Sequence, residues 1–397
     1  MIYQNGKKIG SIKVIESAYM GASKKFKASK GLSLQPLKSV TITQNGTTNV
    51  VPDEGFDGMQ SVDVNVEVPV PKEPYTEETY DGNGNLIDVV MHGYNVLRMS
   101  AYKSCALLSQ ATIYGTVKEI PSGFFDGCSN ITTVIIPSTV EMIGWAPFAG
   151  CMSLKNVTLP DSIKEIGSVA FRYCRKMNLE SLPNSLEKIY WGAFEQCYSM
   201  TLKSLPEGLK EISDGAFMNC QSISLTSLPP KLSLISHDTF YGCSNILLAS
   251  LPSGITTIGH DAFNGCTKMP LASLPSGITE IGSSVFYGCR SLIIESLPDA
   301  ITTIENYAFA NCTSMNIKTI PANVKRIGKS AFSRCKFELI QFKGTVETID
   351  SSAFMYCTNL TKIRVPWSEG EVANAPWGAT NATIIYNYTE PETETEE

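Results

Sequence analysis

Residues 159–179 read Leu-Pro-Asp-Ser-Ile-Lys-Glu-Ile-Gly-Ser-Val-Ala-Phe-Arg-Tyr-Cys-Arg-Lys-Met-Asn-Leu. Residues 182–202 return to the same pattern as Leu-Pro-Asn-Ser-Leu-Glu-Lys-Ile-Tyr-Trp-Gly-Ala-Phe-Glu-Gln-Cys-Tyr-Ser-Met-Thr-Leu. The leucine-proline pair, the isoleucine, the alanine-phenylalanine pair and the cysteine all recur at one interval, the interval from Cys174 to Cys197. Self-similarity at a fixed period of this length is typical of a stacked repeat architecture.

The repeat covers most of the chain. Twelve cysteines follow one another at this constant interval, except that the last step is one position shorter, and a phenylalanine stands three positions before each of the last eleven. One such unit has too little chain to bury its own apolar face, so every column is predicted to become a continuous interior ladder. The cysteines are Cys105, Cys128, Cys151, Cys174, Cys197, Cys220, Cys243, Cys266, Cys289, Cys312, Cys335 and Cys357.

The secondary structure of each unit is predicted from its two halves. The segment between cysteine and proline, rich in leucine and isoleucine, is the best strand candidate, and the segment Ile-Gly-x-x-Ala-Phe-x-x-Cys suits a short helical turn. We therefore expect an α/β repeat solenoid with a parallel strand ladder, preceded by a small all-β N-terminal region. The predicted repeat core includes Phe148, Cys151, Ile166, Phe171, Cys174, Ile189, Phe194 and Cys197.

The pattern resembles the BspA-type leucine-rich repeat, whose unit has this same length and carries Ile-Pro, Ile-Gly, Ala-Phe and Cys. The resemblance covers residues 105–366, about eleven units. Known members of that family are mostly surface or extracellular proteins, so the resemblance implies an adhesive role.

The cysteines are predicted to be reduced, buried and inert. One cysteine at the same place in every unit behaves as a small apolar residue, although rungs about 5 Å apart leave pairing of neighbours geometrically open. The chain has no Cys-x-x-Cys pair, which disfavours a zinc site. His237 and His260 stand one repeat apart with Asp214 one unit before them, but their column varies widely, so no metal or other cofactor is expected.

Exposed aromatic residues are the leading candidates for function. Polar residues vary from unit to unit without a convergent acid, base and nucleophile, so no catalytic residue is expected and the chain is predicted not to be an enzyme. Aromatic faces on a rigid stack suit stacking on sugars or anchoring a protein. The candidate binding face is Trp145, Tyr173, Tyr190, Trp191, His237, Tyr241, His260 and Tyr287.

The N-terminal region lacks the repeat. Residues 1–31 open with Met-Ile-Tyr-Gln-Asn-Gly-Lys, and residues 32–70 carry the turn dipeptide Asn45-Gly46, the string Pro-Asp-Glu-Gly-Phe-Asp-Gly and a run of alternating valines. Both segments resemble small modules of phage tail and virion proteins. The resemblance implies that residues 1–31 attach the chain to a particle and that residues 32–70 form a small β module.

The remaining segments are assigned to caps and a tail. Residues 71–104 are predicted to be a proline-stiffened linker and the N-terminal cap of the solenoid, because the ends of a stack must be covered. Residues 367–388 are predicted to be the C-terminal cap, with Trp367 and Trp377 in its core, and residues 389–397 form an acidic tail.

Bulk properties limit the classes of partner. A net charge of -6 and a pI near 5.4 disfavour nucleic acid, and no apolar run approaches the roughly 18 residues of a membrane span. With neither secretion signal nor anchor seen, we expect a phage virion protein that binds other virion proteins through its N-terminal region and a host-surface protein or glycan through its solenoid, with homo-oligomers possible. The alternatives are a BspA-like adhesin on a bacterial cell surface and a structural virion decoration.

Overall fold

The computed structural model describes residues 74–390 in full and, before them, the backbone of short strands alone. The chain divides into two units, residues 1–72 and residues 73–397. The predicted Asn45-Gly46 turn, most of the segments 1–31 and 32–70, and the tail beyond Glu390 lie outside the described residues. The strands of the first unit pair antiparallel: Ile2–Gln4 with Lys7–Gly10, Lys24–Lys25 with Asn65–Val66, and Ser39–Gln44 with Thr47–Pro52.

The second unit is a parallel β-solenoid whose most regular feature is a ladder of two-residue strands, here called the isoleucine ladder. Each strand ends in an isoleucine, and each pairs in parallel with a strand one repeat away, so that Ile166 lies beside Ile189. Hydrogen bonding groups the strands into sheets of five, two and four, with interruptions after Ile212 and after Ile258. The strands are Glu119–Ile120, Met142–Ile143, Glu165–Ile166, Lys188–Ile189, Glu211–Ile212, Leu234–Ile235, Thr257–Ile258, Glu280–Ile281, Thr303–Ile304, Arg326–Ile327 and Thr348–Ile349.

A longer sheet stands at each end of the solenoid. In the N-terminal sheet the first two strands pair antiparallel and the others are parallel; its strands are Tyr75–Tyr80, Leu86–Tyr94, Gln110–Gly115, Thr133–Ile135 and Asn156–Thr158. The C-terminal sheet is parallel throughout, with strands Thr319–Ile320, Leu339–Phe342, Lys362–Arg364 and Thr383–Ile385. Trp367 and Trp377 are 3% and 0% exposed, with ring centres 6.3 Å apart, and they close the C-terminal end.

The core of the solenoid consists of columns of identical side chains stacked from rung to rung. The phenylalanine rings from Phe125 to Phe354 lie in one column, with consecutive ring centres 5.0–5.8 Å apart. All twelve cysteines are free and all except Cys105 are buried. Each buried thiol donates to a backbone carbonyl about one rung away, as Cys197 Sγ does to the Phe171 oxygen at 3.1 Å. Burial raises the pKa of these thiols, to about 12 for Cys128 and well above the ordinary value for mid-stack thiols such as Cys197.

The expectation of an α/β solenoid was wrong, because no residue between 74 and 390 is helical, and this part of the chain therefore has no helix that could cross a membrane. The segment from isoleucine to cysteine is a series of turns. The Phe171 N–H donates to the Ala193 carbonyl of the next rung at 2.8 Å, whereas the Cys174 N–H donates locally to the Phe171 carbonyl at 3.0 Å. A helix needs consecutive local bonds, and residues with positive φ, such as Val169 and Tyr173, interrupt any such run.

The strand expectation for the segment between cysteine and proline was right only near the ends. Val134 and Ile136 of a terminal rung are buried two positions apart, as a strand requires. In the central rungs the buried pair is three positions apart, as with Leu179 and Leu182, and no strand forms there.

Candidate functional site

Two exposed indoles mark one face of the solenoid. Trp145 and Trp191 lie two rungs apart in one column, with 56% and 49% of their surface exposed. Ser168 occupies the same column on the rung between them. The backbone beneath them is held by bonds between rungs, since Ala146 N–H donates to the Ser168 carbonyl at 3.0 Å and Val169 N–H donates to the Trp191 carbonyl at 2.8 Å. Both indoles are therefore solvent-facing groups on a fixed backbone.

Arg172 joins one of these indoles to a neighbouring tyrosine. Its guanidinium carbon lies 4.7 Å from the ring centre of Tyr173 and 5.9 Å from that of Trp191, within the range of cation–π attraction. Its Nε lies 2.8 Å from Glu195 Oε2, and one terminal nitrogen donates to Glu195 Oε1 at 3.1 Å. Glu195 is 7% exposed, so the ion pair is partly withdrawn from water. Arg172 is thus neutralised and held among aromatic rings.

Arg175 continues the cluster on the same rung. Its guanidinium carbon lies 5.9 Å from the ring centre of Tyr173 and 5.8 Å from that of Tyr198. The Tyr198 hydroxyl donates to Gln196 Oε1 at 2.8 Å, which orients the ring. The set of residues linked in this way, here called the aromatic–arginine patch, consists of Arg172, Tyr173, Arg175, Trp191 and Tyr198.

Sequence reasoning found Tyr173 and Trp191 but missed Arg172, Arg175 and Tyr198. The missing signal was the offset of one repeat, applied to exposed side chains as well as to the buried columns. Stacked rungs place residues one repeat apart side by side. The same offset locates ion pairs along the solenoid: Lys118–Glu141, Glu141–Lys164, Arg172–Glu195, Glu187–Lys210 and Lys188–Glu211.

Tyr190 adjoins Trp191 in sequence but is engaged elsewhere. Its hydroxyl donates to Glu165 Oε2 at 3.0 Å. Desolvation, and then this bond to Glu165, raise the pKa of the Tyr190 phenol. Tyr190 is half-buried, and its hydroxyl is already paired, so it contributes less to an open binding face than Trp191 does.

His237 and His260 form a second, separate cluster. Their rings stack with centres 5.0 Å apart. The Nδ1 atom of His237 accepts from the His260 N–H at 2.8 Å, and the Nδ1 atom of His260 accepts from the Ser283 N–H at 2.9 Å. Asp214 accepts from the His237 N–H in the same way, at 3.1 Å. These side chains therefore link rungs in the stretch of the isoleucine ladder that is interrupted.

A shallow groove of about 410 Å³ runs beside the two imidazoles, lined also by Leu234, Thr256, Thr279 and Glu280. Burial raises the pKa of the neighbouring Asp238. The Nδ1 atoms are occupied by backbone bonds, and within residues 74–390 no three histidine, cysteine, aspartate or glutamate side chains are grouped as metal ligands would be. The groove can take a small polar ligand, but its chemistry is less distinctive than that of the aromatic–arginine patch.

Tyr241 and Tyr287 lie further along the solenoid, in the same column as Arg172. Tyr287 is 39% exposed and Tyr241 is half-buried. Three rungs at about 4.8 Å each separate Tyr241 from Arg172. The eight residues of the predicted binding face therefore do not form one site: Tyr173 and Trp191 are brought together through Arg172, His237 and His260 form a pair, and the others lie apart.

Comparison with known proteins identifies the family of the repeat. The family model for the BspA type leucine rich repeat region, described as six copies of the repeat, matches over three overlapping ranges, residues 95–224, 192–315 and 233–361. A search among curated proteins gave no match. A leucine-rich repeat protein from Bacteroides ovatus is 24% identical, with a TM-score of 0.53 and a match covering 78% of this chain and 98% of that one. A leucine rich cell surface protein from Faecalibacterium prausnitzii is 23% identical, with a TM-score of 0.41 and coverage of 80% and 99%.

The matched ranges together run from residue 95 to residue 361, more than half of the 397 residues. They contain the phenylalanine column, the thiol column and the isoleucine ladder. The Bacteroides ovatus structure shares the fold. The chain therefore belongs to the family of BspA-type leucine-rich repeat proteins.

Proposed function

We propose that this chain is a non-enzymatic adhesin displayed on a bacterial cell surface, and that its solenoid binds a glycan or a protein through the aromatic–arginine patch. The observation that carries the proposal is the joining of exposed Trp191 to Arg172 and Tyr173 by contacts of 4.7–5.9 Å. Tryptophan, tyrosine and arginine are the residue types that supply most of the energy at binding interfaces.

The rigidity of the rungs supports a binding role. Protein groups that are already fixed by a hydrogen-bonded backbone lose little further conformational entropy when a ligand binds. Tyr173 N–H donates to the Glu195 carbonyl at 2.9 Å, and Arg172 is fixed by its ion pair with Glu195. Many copies on one surface would add avidity to a weak single contact.

The chemistry of the patch favours binding over catalysis. Its polar groups are guanidiniums and phenols, and it pairs no nucleophile with a base as group transfer would require. Membership in a repeat family whose units are built for stacking supports the same conclusion.

The binding proposal is tested with full-length chain coupled to fluorescent beads and applied to a panel of epithelial and bacterial cells. Trp191→Ala is expected to reduce bead adhesion by at least about tenfold, the size of a hot-spot truncation. The matched control is Lys329→Ala, because Lys329 is exposed and occupies the same column as Trp191 on a distant rung. Equal adhesion by the Trp191→Ala chain and the unsubstituted chain would contradict the proposal.

A second location is proposed from the sequence, because residues 1–31 and 32–70 resemble modules of phage virion proteins. In that case the same solenoid would be held outward from a phage particle. Antibody raised against the full chain and applied to intact cells and to purified particles separates the two. Label on cell envelopes supports the bacterial adhesin, and label on particles supports the virion protein. Labelled particles that adsorb to hosts equally well without the solenoid would indicate a decoration.

A further inference from the structure

Arg172 and Arg175 lie on one rung, but only the charge of Arg172 is paired with a carboxylate. Arg172 is paired with the buried Glu195 carboxylate. Arg175 is exposed and, among the residues that the structure describes, it has no carboxylate within the 4.0 Å of an ion pair; nor has its exposed neighbour Lys176. An uncompensated pair of cations therefore stands in a chain whose net charge is -6.

The Arg175 guanidinium is also held in place. The rings of Tyr173 and Tyr198 lie at 5.9 and 5.8 Å from its central carbon. Aromatic contacts of this kind fix the plane of a guanidinium while leaving its edge N–H groups free to donate. A fixed fork of donors matches a carboxylate, which accepts two parallel hydrogen bonds.

We infer that the aromatic–arginine patch binds a carboxylate-bearing polysaccharide, with the acid group on Arg175 and sugar rings on Trp191 and Tyr198. This inference rests on the proposed adhesive function and names its ligand class. Four successive cation–π contacts, from Trp191 through to Tyr198, extend the patch beyond the size of one sugar ring. A polymer with repeated acid groups fits such a row of platforms.

An acidic peptide is the competing ligand, and the backbone argues against it. Extended peptides commonly dock by adding a strand to free main-chain groups. Here three main-chain donors in and beside the patch are already used. Tyr173 N–H donates to the Glu195 carbonyl at 2.9 Å, Gln196 N–H to the Met218 carbonyl at 2.8 Å, and Arg175 N–H to the Tyr173 carbonyl at 2.8 Å. A polysaccharide needs none of these groups, because the side chains meet its carboxylate, hydroxyls and ring faces.

The test uses immobilised full-length chain and three soluble polymers at one ionic strength. They are polygalacturonate, the same polymer with its acids methyl-esterified, and poly-L-glutamate. Binding of polygalacturonate with at least about tenfold loss on methyl-esterification is expected, because a charge-assisted hydrogen bond contributes on that scale. Equal binding of the ester would overturn the inference, and so would tighter binding of poly-L-glutamate.

Matched variants locate the site. Arg175→Gln is expected to weaken binding of polygalacturonate about tenfold, and Arg175→Lys, which keeps the charge but lacks the fork, to restore less than half of that loss on a logarithmic scale. Arg290→Gln is the control, since Arg290 is exposed and occupies the same position after Cys289 that Arg175 occupies after Cys174. Equal losses in Arg175→Gln and Arg290→Gln would overturn the inference in favour of nonspecific charge attraction.

The failure of this inference is distinguishable from failure of the adhesin proposal. Bead adhesion that depends on Trp191 without any binding of polygalacturonate would leave the adhesin standing and reject the acidic polysaccharide. Adhesion that is independent of Trp191 would reject the patch as the adhesive surface, whichever polymers bind.

Discussion

The central rungs of the solenoid and the rungs at its two ends bury the same phenylalanine, cysteine and isoleucine columns but differ in the segment between cysteine and proline. In the rungs at the N-terminal end the residue six positions after the cysteine is buried, as Val157 is after Cys151. In a central rung the residue five positions after is buried, as Leu202 is after Cys197, and the next residue, Lys203, is exposed.

In the rungs that follow the N-terminal end, this shift of one position accompanies the loss of the strand. In the N-terminal rungs the buried residues alternate, and hydrogen-bonded strands such as Asn156–Thr158 are present. In the central rungs one bond between rungs remains in this segment, such as Thr201 N–H to the Leu179 carbonyl at 3.1 Å. The stack is continuous through both regions, so the shared columns rather than the longer strands hold the solenoid together.

The thiol column predicts the largest effect, a loss of stability at alkaline pH. Burial raises the pKa of the folded thiols above the ordinary 9.0, so the stability they contribute is complete below pH 9 and falls as pH rises, when only the unfolded chain ionises. Each buried thiol should remove about 1.4 kcal/mol per pH unit above that value. The free energy of unfolding in denaturant, measured at steps between pH 8 and pH 10, checks this.

The reactivity of the thiols should also differ between the ends and the centre of the column. The pKa of Cys128 and of Cys357 is raised to about 12, and burial raises the pKa of mid-stack thiols such as Cys243 well above its ordinary value. Half-buried Cys105 and then the two end thiols should react first with a thiol reagent. Uniform reactivity of all twelve, or stability that stays flat up to pH 10, would contradict the role given to the thiol column.

The phenylalanine column should be equally important in both regions. Phe217, in a central rung, and Phe148, in a terminal rung, are each 0% exposed and stacked between two rings. Phe217→Ala and Phe148→Ala should each lower the free energy of unfolding by about 3–5 kcal/mol, through lost burial and a residual cavity. A loss confined to one region, seen in denaturant unfolding, would mean that the columns do not act alike along the stack.

The shifted register of the central rungs has its own test. Leu202→Ala should lower the free energy of unfolding by about 2–4 kcal/mol, because Leu202 is 0% exposed, whereas Lys203→Ala should change it by less than about 0.5 kcal/mol. In the N-terminal rung of Cys128 the sensitive position moves by one residue. Val134, six positions after the cysteine, is buried and its truncation should cost more stability than that of half-buried Thr133. Comparable losses at Leu202 and Lys203 would reject the register.

The smallest effect concerns the interrupted stretch of the isoleucine ladder. His260→Ala removes the acceptor of the Ser283 N–H and should lower the free energy of unfolding by about 1 kcal/mol. His260→Asn is the control, because Asn306 accepts the Lys329 N–H at 2.8 Å from the equivalent column position. Thermal unfolding of both variants tests this, and an equal loss in the two would show that packing of the ring, rather than its acceptor atom, links the rungs.

The repeat in the amino-acid sequence is enough to predict the stack. The constant interval between cysteines identifies the repeat and the buried columns, and the same offset pairs Arg172 with Glu195. The physical reason is that a repeated unit must bury its apolar face on its neighbours, so residues one period apart become contacts.

The conformation of each unit and the composition of the patch depend on contacts between rungs that periodicity does not specify. Whether the Phe171 N–H bonds locally or to the next rung depends on where that rung lies, and this choice replaced the predicted helix with turns. The place of Arg175 between Tyr173 and Tyr198 likewise depends on how the turns of two rungs direct their side chains. Periodicity specifies which residues become neighbours, but backbone hydrogen bonding between rungs specifies the directions in which their side chains point.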